Sequence, residues 1–308
     1  MKFSIYKESR LGARKSNQDR MAYSYSRDAL LLVVADGMGG HLHGEVAAQI
    51  AVQFITESFQ REARPSLSDP SVFLSKTITN AHHAIVDYAA DGGLLETPRT
   101  TCVACVVQDN VACWAHAGDS RLYHIREGRI MAQTKDHSRV QQLIDRGLVR
   151  EEAFGAHPDR NKIFNCLGSL NPPQVDLSGK TPLHSGDTLL LCTDGLWGPL
   201  SGRLITGALH NGGIMAAVPG LLDEAQRRSG RGCDNLSVVA VTWEENFQPT
   251  RNGQVSTRAM QRDSVTTELQ PFGAVAAAAD KSELTDEEIE RAIAEIRGAL
   301  KRHSHGKT

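Results

Sequence analysis

The chain has 308 residues, of which 40% are hydrophobic and 23% charged, so it is long enough for a sizeable core and has the composition of a soluble globular protein. Its formal net charge of −2 lacks the basic excess of nucleic-acid-binding proteins, so we expect no nucleic-acid partner. No apolar run reaches the length of a membrane span, and charges stand where a signal peptide needs apolar residues, so we expect a cytoplasmic protein without a membrane partner.

The six cysteines, at positions 102, 105, 113, 166, 192 and 233, lie within apolar or strand-like runs. Cys102 and Cys105 have the spacing of a redox or zinc motif, but residues three apart on a strand point to opposite faces of the sheet. Since cysteine is among the residue types most often buried, we favour buried free thiols over a metal or redox site.

Apolar periodicity divides the first 245 residues into strands and helices. In chain order we predict a strand at 30–35, helices at 44–59 and 71–90, strands at 102–107, 111–115 and 121–125, a helix at 139–145, a strand at 188–192, a helix at 215–228 and a strand at 236–241. Residues 108–110 and Gly128 supply hairpin turns. Helix pairs among antiparallel hairpins indicate an α+β layered domain, not a strictly alternating βαβ fold.

The character of the sequence changes near residue 246. Residues 246–280 are rich in Gln, Thr, Arg, Ala and Asp without a sustained apolar period, which predicts a flexible linker after a domain of residues 1–245. Residues 285–288 then form a capping box, and an apolar stripe runs from Ile289 to Leu300 at helical spacing. We therefore expect an amphipathic helix and tail over 281–308, covered either by the domain itself or by a partner protein.

Five aspartates stand at or near the ends of strands, each beside Gly, Asn or Ser. They are Asp19, Asp36, Asp119, Asp194 and Asp234. Carboxylates gathered in one place repel each other, so they suit hard divalent ions with oxygen ligands, and a backbone carbonyl such as that of Gly37 can join them. Two such ions can share a water, lower its pKa and hold it in line with a phosphorus atom.

Each aspartate alone has a simpler explanation, because an Asp-Gly pair more often marks a turn. Two Asp-Gly pairs follow apolar strands, at Asp36 and Asp194, and Asp234-Asn235 is itself flanked by apolar residues. The three together are harder to attribute to turns alone. Spacing alone leaves the convergence of these side chains in space open.

The motifs around the aspartates resemble those of a known family. In chain order they are Arg14 with Asn17-Gln18-Asp19, Asp36-Gly37-Met38-Gly39-Gly40-His41, Gly118-Asp119-Ser120-Arg121, Asp136-His137-Ser138, Thr193-Asp194-Gly195-Leu196 and Asp234-Asn235. This series, spread over residues 5 to 243, is similar to the metal-dependent protein phosphatases of type 2C. The resemblance implies a bacterial serine/threonine phosphatase with an α-β-β-α sandwich of two antiparallel sheets flanked by helices. It also implies phosphorylated proteins as substrates and a cognate Ser/Thr kinase as a partner.

A manganese or magnesium centre of two ions between the sheets, with metal-activated water as the nucleophile, is part of what the resemblance implies. Carried over by position, Asp36 would bridge both ions and Gly37 would ligate through its carbonyl. Asp194 and Asp234 would complete one ion, and Asp19 would hold the other largely through water.

Further positions carry roles by the same resemblance. Asp119 matches the residue that binds a third, weaker ion in bacterial members, and Arg14 matches the arginine that pairs with the substrate phosphate, a task that suits its planar guanidinium. Residues 135–165 match the flap, a mobile insertion beside the cleft. Two positions depart from the family pattern: Gln18, where many relatives have Glu, removes a negative charge near the metals, and Arg99, where relatives usually have Gly, could alter the local backbone.

His41 follows the Gly39-Gly40 pair, close in sequence to the proposed ligands. An imidazole, with an unperturbed pKa of about 6.5, suits the donation of a proton to the leaving serine or threonine oxygen. A histidine that hydrogen-bonds a carboxylate and shapes the loop is an equal alternative, and both interpretations stay open.

Two other functional classes compete with an enzyme of this type. A non-catalytic phosphoprotein-binding module on the same fold is disfavoured by the intact Arg14 and aspartates. A phosphodiesterase acting on nucleic acid is disfavoured by the lack of a basic excess. The sequence also lacks the Gly-x-Ser-x-Gly nucleophile elbow and a Cys with Arg six positions later, so no covalent nucleophile is expected.

Overall fold

A computed structural model describes residues 1–38, 43–150, 153–154, 157–244 and 254–270. Its strands are β1 (Lys2–Arg10), β2 (Asp19–Tyr25), β3 (Ala29–Met38), β4 (Arg99–Thr100), β5 (Cys102–Gln108), β6 (Val111–Ala117), β7 (Arg121–Arg126), β8 (Arg129–Gln133), β9 (Asp176–Leu177), β10 (Thr181–Pro182), β11 (Thr188–Cys192), β12 (Leu236–Trp243), β13 (Gln254–Ser256) and β14 (Thr266–Leu269). Its helices are α1 (Gly44–Glu62), α2 (Pro70–Asp91), α3 (Arg139–Asp145), α4 (Asp194–Trp197) and α5 (Gly202–Ser229).

The described strands form two antiparallel sheets. The first sheet has the order β13-β1-β12-β11-β7-β8. The second has the order β10-β6-β5-β3-β2-β14, with β4 paired to β3 and β9 paired to β6. Strands far apart in the sequence are neighbours in the first sheet, since Ile5 of β1 lies opposite Val241 of β12.

Alternation along β3 shows how the sequence builds the layers. Leu30, Leu32 and Val34 lie in the apolar cluster between the two sheets. Leu31, Val33 and Ala35 lie in a second cluster against α1 and α2. Because successive side chains of a strand point to opposite faces, a continuous apolar run fits a strand that is covered on both sides.

A third apolar cluster lies on the outer face of the first sheet, where Leu190 and Ala240 pack against Leu221 and Leu222 of α5. The layer order is therefore helices, sheet, sheet, helices. This arrangement confirms the predicted α+β sandwich with helices on both outer faces.

Both predicted hairpin turns are present. Asp109 and Asn110 have φ values of 54° and 57° between β5 and β6, and Glu127 and Gly128 have values of 48° and 72° between β7 and β8. Two successive positive φ angles are typical of a type I′ turn, whose twist matches that of the flanking strands.

Several regions of regular structure were not predicted, among them β1, β2 and the first half of α5. The sequences of β1 and β2 do not predict strands because charged and polar residues interrupt their apolar pattern. In β1, only Phe3 and Ile5 are buried. α5 begins at Gly202, well before the predicted start at 215, and it contains a kink at Gly213 with a φ of 62°. Three glycines at 207, 212 and 213 hide the first half of this helix from a periodicity argument.

The predicted linker is wrong for residues 254–270. β13 pairs with β1, and β14 pairs with β2, so this segment adds one edge strand to each sheet. Thr257 anchors it by accepting a hydrogen bond from the N-terminal amine at 2.8 Å and donating one to the carbonyl of Arg27 at 2.7 Å. A composition argument misses such strands because their backbone partners lie elsewhere in the chain. The predicted helix and tail over 281–308 lie outside the described residues.

The cysteines behave as expected. Cys102 lies in the cluster beneath α1 and α2, whereas Cys105 lies between the sheets. All six thiols are buried and free. Within the described ranges, none of the helices has the length and apolar content to cross a membrane.

We predict that residues 254–270 contribute to stability. Truncation after Glu244 should lower the melting temperature by roughly 5–10 °C, since each kcal/mol lost shifts the midpoint by about 2–4 °C in a domain of this size. Truncation after Gln270 keeps both edge strands and serves as the control, for which we expect a nearly unchanged midpoint. Calorimetry measures both, and equal midpoints for the two truncations would contradict a structural role for the segment.

A buried ionic cluster lies at the end of the sandwich, at the turn before β11. Asp187 is 1% exposed and accepts hydrogen bonds from Arg126 Nε and Nη2 at 2.7 Å each, from His124 Nε2 at 2.9 Å and from the His184 N–H at 2.9 Å. Burial acts to raise the pKa of Asp187, but the hydrogen bonds outweigh it and lower that pKa to about 2.

We predict a loss of stability in acid from this carboxylate. Its folded-state pKa lies below the ordinary value of 3.8, so the stabilisation is present above that value and disappears as the pH falls towards 2. Urea unfolding of the wild type and of Asp187→Asn between pH 5 and pH 2 tests this. The variant should be less stable at pH 5, and the difference should shrink in acid; a constant difference would show that ionisation of Asp187 is irrelevant.

Candidate active site

Two carboxylates face each other where β2 and β3 meet. Asp19 and Asp36 are directly paired in the antiparallel register, so their side chains share one face of the sheet. The Asp36 backbone is held by threonines: Thr101 Oγ1 accepts its N–H at 3.0 Å and Thr100 Oγ1 donates to its carbonyl at 2.9 Å. Like charges directly opposite in a sheet are destabilising, so this pair needs compensation.

The first sheet supplies two more carboxylates at the same end of the sandwich. Asp194 begins α4 directly after β11, and Asp234 shortly precedes β12, the neighbour of β11. Thr193 connects the two sheets, because its Oγ1 donates to Asp19 Oδ2 at 2.8 Å and accepts the Ser237 N–H at 3.0 Å. The carboxylates of both sheets therefore meet at one place.

A fifth carboxylate, Asp119, lies in the tight turn between β6 and β7. Gly118 before it has a φ of 114°, and a Cβ there would lie 2.6 Å from the Thr101 side chain, so the turn requires glycine. The Asp119 carbonyl accepts the indole N–H of Trp197 at 3.0 Å. The side chain is buried, and its Oδ1 has no hydrogen-bond partner among the described residues.

A cavity of about 690 Å³ opens between these elements. It is lined by residues of both sheets, among them Asp36, Gly37, Asp119, Asp194 and Asp234. Asp19 lies beneath it, fully buried against Thr193. Gly37 leaves no room for a side chain, since a Cβ there would lie 2.3 Å from the carbonyl oxygen of Gly44.

The carboxylates shift one another's protonation. Burial raises the pKa of Asp194 to about 7, and the charge of Asp234 acts in the same direction. Burial also raises the pKa of Asp19 to about 7. For Asp36, burial again acts first, and the charge of Asp19 follows, so its pKa is also raised. These groups cannot all be charged without added cations.

The donor set fits hard divalent cations. Oxygen ligands from several carboxylates are what manganese and magnesium prefer, and soft or nitrogen ligands are not needed. Asp119 Oδ1 and Asp194 Oδ1 are buried without a hydrogen-bond partner in the described part of the chain, so each is available to a cation. An orphaned carboxylate oxygen in an apolar protein interior is costly, which favours a bound ion there.

Arg14 lies at the mouth of the cavity and lines it. Its Nε and Nη2 donate to Asp234 Oδ1 and Oδ2 at 2.8 Å and 2.6 Å, and 55% of its side chain is exposed. Asn235 holds the loop that carries it: Nδ2 donates to the carbonyls of Leu11 and Ser16, and Oδ1 accepts the Gln18 N–H. The arginine is thus presented by a fixed loop.

The two departures from the family pattern have clear positions. Gln18 Nε2 donates to Glu45 Oε2 at 3.1 Å, in the first turn of α1. A glutamate at position 18 would set two carboxylates side by side, so the amide avoids a repulsion. Arg99 is exposed and lies opposite Met38 in the pairing of β4 with β3.

Arg121 connects the described part of residues 135–165, the segment predicted to form the flap, to the cavity wall. It donates to both oxygens of Asp136 at 2.8 Å, and its guanidinium carbon lies 3.6 Å from the ring centroid of Trp197. Phe154 of the flap meets the same indole edge-on at 5.4 Å. Two further flap residues line the cavity, so the flap forms one side of the cleft.

A separate group of ligand-type atoms belongs to His116, His137 and Asp176, which lie within 4.8 Å of one another. His137 Nδ1 accepts the Gly118 N–H at 3.1 Å, so the ring proton is on Nε2, which faces Asp176 Oδ2 at 3.1 Å. A protonated ring nitrogen is not a metal ligand. We therefore interpret His116, His137 and Asp176 as a hydrogen-bond network that holds the turn before Asp119 in place.

Most of the predicted site residues lie at the cavity or directly beneath it. They are Arg14, Asp19, Asp36, Gly37, Asp119, Asp194 and Asp234. His41 lies outside the described residues, so its two interpretations stay predictions. Sequence reasoning missed Thr193 and Asn235 as positioning residues, although both stand next to aspartates that it singled out.

Comparisons with known proteins agree with this geometry. A family model described as protein phosphatase 2C matches residues 8–208. A putative protein phosphatase 2C-type of Streptococcus pyogenes is 30% identical over 74% of this chain and 92% of its own length. The crystal structure of the Mycobacterium tuberculosis serine/threonine phosphatase PstP/Ppp superposes with a TM-score of 0.69 and 32% identity, covering 80% of this chain and all of that one.

A further structure bears on the cofactor. The catalytic domain of the serine/threonine protein phosphatase PstP, solved in complex with two manganese ions, has a TM-score of 0.66 and 30% identity and covers 79% of this chain and all of that one. The family model alone spans well over half of the sequence. Together with the carboxylate cavity, these matches show that the chain belongs to the protein phosphatase 2C family.

Proposed function

We propose that the protein hydrolyses phosphoserine and phosphothreonine in phosphoproteins, with a centre of two manganese or magnesium ions. The observation that carries this proposal is the convergence of five carboxylates from both sheets on one cavity. Buried carboxylates that repel one another do not stabilise the folded protein, so cation binding explains why they are gathered here. Two manganese ions in the PstP catalytic domain support the same choice of metal.

The ligands divide by position. Asp36, Gly37, Asp194 and Asp234 would hold the two ions, Asp19 would support them from beneath, and Asp119 would hold a third, weaker one. When bound, the ions supply Lewis-acid chemistry, which lowers the pKa of a water and neutralises charge on the phosphate. The protein contributes rigid strand ends that fix the carboxylates before the substrate arrives.

Arg14 would position the substrate. Its guanidinium presents two N–H groups in parallel, as the bidentate bond to Asp234 shows, and the same fork matches two phosphate oxygens. Half of the side chain is exposed at the cavity mouth, where a phosphorylated side chain would enter. The loop clamp by Asn235 keeps this arginine in place.

A non-catalytic phosphoprotein-binding module is the second candidate. It would need Arg14 and the cavity mouth but not a set of deeply buried carboxylates. Asp19 is buried beneath the cavity and cannot contact a substrate side chain directly, which favours the enzyme.

The cellular setting follows from the chemistry. A serine or threonine phosphomonoester is made by a protein kinase, so we propose that this enzyme opposes a Ser/Thr kinase in the same compartment. Six free, buried cysteines suit the reducing cytoplasm, where we propose that it acts.

Metal removal is the first test. We expect the protein to hydrolyse p-nitrophenyl phosphate and a phosphothreonine peptide with manganese or magnesium and to lose this activity in EDTA. Asp36→Asn should lower kcat/KM by more than about 100-fold, since even changes to groups that only support metal ligands cost about 10–100-fold. Activity assays with isothermal titration of manganese measure both effects.

Asp109→Asn is the matched control, because this aspartate lies exposed in a hairpin turn away from the cavity. Its activity and manganese binding should equal those of the wild type. Full activity of metal-stripped protein in chelator would overturn the proposed mechanism.

The role of His41 has its own test. If His41 protonates the leaving oxygen, His41→Ala should slow hydrolysis of the peptide by about 10²–10⁴-fold but spare p-nitrophenyl phosphate, whose leaving group needs little protonation. His83→Ala, an exposed position on α2, serves as the control. Equal losses on both substrates would favour the role in shaping the loop.

A further inference from the structure

The turn that carries Asp119 is held through its backbone. The Asp119 carbonyl accepts the indole N–H of Trp197 at 3.0 Å, and the hydroxyl of the next residue, Ser120, shares a hydrogen bond with Thr101 Oγ1 at 2.7 Å. Asp119 Oδ1, in contrast, has no hydrogen-bond partner among the described residues. The position of that oxygen therefore depends on how the backbone of the turn is fixed.

Two other carboxylates of the cavity are oriented by direct bonds from side chains. Thr193 donates to Asp19 Oδ2 at 2.8 Å, and Arg14 donates to both oxygens of Asp234. Since Asp119 Oδ1 lacks such a bond in the described part of the chain, the groups that hold its backbone have the greater influence on it.

His137 holds the residue just before Asp119 with two hydrogen bonds. Its ring Nδ1 accepts the Gly118 N–H at 3.1 Å, and its own N–H donates to the Gly118 carbonyl at 3.0 Å. The N–H and the carbonyl of a residue belong to the two planar peptide groups on either side of it, so both dihedral angles of Gly118 are restrained. The direction in which the chain continues to Asp119 is thereby fixed.

The imidazole ring of His137 is itself held from several sides. Nε2 lies 3.1 Å from Asp176 Oδ2, a hydrogen-bond distance that keeps the ring proton on Nε2 and leaves Nδ1 as an acceptor. Asn165 Nδ2 donates to the same Nδ1 at 2.7 Å, and the ring of His116 stacks on that of His137 with centroids 4.6 Å apart. A buried ring held in this way presents a fixed acceptor to the Gly118 N–H.

We propose that His137 is a positioning residue of the metal centre: through Gly118 it sets where the Asp119 carboxylate lies, and thereby how tightly the third, weaker ion binds. The proposal rests on the proposed function, in which Asp119 holds that ion, and adds a residue outside the ligand set. Among the described residues, His137 is not one that lines the cavity, so it acts only through its neighbours. Groups that orient metal ligands contribute about 10–100-fold to metal affinity.

Two variants of His137 separate the two nitrogens of its ring. The amide oxygen of Asn reaches the position of Nδ1, so His137→Asn keeps an acceptor for the Gly118 N–H. The longer amide of Gln reaches the position of Nε2 instead, so His137→Gln keeps a donor to Asp176 but loses the acceptor. Only the first variant should preserve the geometry at Asp119.

Isothermal titration of the metal-stripped, full-length protein with manganese measures the effect. Asp119→Asn is titrated first, and the part of the titration that it loses identifies the ion held by Asp119. We expect His137→Gln to weaken the binding of the same ion by roughly 10-fold or more, whereas His137→Asn should bind manganese like the wild type. Adding His137→Gln to Asp119→Asn should have no further effect, because the two changes act on one ion.

His82→Gln is the matched control. His82 is buried on α2, and its Nδ1 accepts the N–H of Gly168 at 3.1 Å, so this change removes the same kind of bond to a glycine that neither precedes nor follows a proposed ligand. It should lower the melting temperature, as His137→Gln does, but leave the manganese titration unchanged.

Asp176 provides a second route with little risk to folding, since 43% of its side chain is exposed. Asp176→Ala removes the acceptor of the Nε2–H and should weaken the ion held by Asp119 by several-fold, because outer groups that orient a ligand tune its affinity. Asp176→Asn removes the charge but keeps an acceptor, so it should bind manganese like the wild type. Equal losses in these two variants would show that charge, not orientation, matters and would overturn the proposal.

Other results would overturn it as well. They are an unchanged titration for Asp119→Asn or for His137→Gln, equal losses for His137→Gln and His137→Asn, and a loss for His82→Gln as large as that for His137→Gln. Turnover of p-nitrophenyl phosphate by the wild type with manganese tests the proposed function separately. Failure of that function is therefore distinguishable from failure of the positioning role, which the titrations measure without any substrate.

Discussion

Repulsion among buried aspartates is the constraint on which the rest of this structure depends. Asp19 and Asp36 are cross-strand partners, and Asp194 lies close enough for its charge to raise the pKa of Asp36 as well. Such a group can persist only on a scaffold with stability to spare, and the three apolar layers of the sandwich supply it. The strand ends then act as rigid supports, and the cavity forms where both sheets present their carboxylates.

The groups that orient the aspartates are mostly neutral. Thr101 and Thr193 use hydroxyls, and Asn235 uses an amide, so they fix positions without cancelling negative charge. Arg14 is the exception, and its bond to Asp234 lies at the exposed mouth, where water screens it. The protein thus orients its carboxylates with neutral groups, and bound cations balance the buried negative charge. The arrangement of the site therefore depends on metal binding.

Sequence patterns predicted what local order determines. The strand at 30–35 and the turn at 108–110 could be predicted because neighbouring residues determine them. The Asp-Gly pairs at strand ends likewise indicated residues that line the cavity. Strand pairs and hydrogen bonds between residues far apart in the sequence could not be predicted. β13 and β14 form because unpaired edges of β1 and β2 are available, and the clamp by Asn235 reaches a loop more than 200 residues away.

The edge strands at 254–270 have a consequence for many copies of the protein together. An unpaired strand edge invites a second chain to add to the sheet, which leads to aggregation. β13 and β14 form one outer edge of each sheet, and with 3 and 4 residues they offer a second chain little backbone to pair with. At the opposite edges, β8 begins with the charged Arg129, and β10 contains Pro182, which lacks an N–H to donate. The fold that exposes a catalytic cleft at one end thus has, at the edges of its sheets, features that disfavour pairing with a second chain.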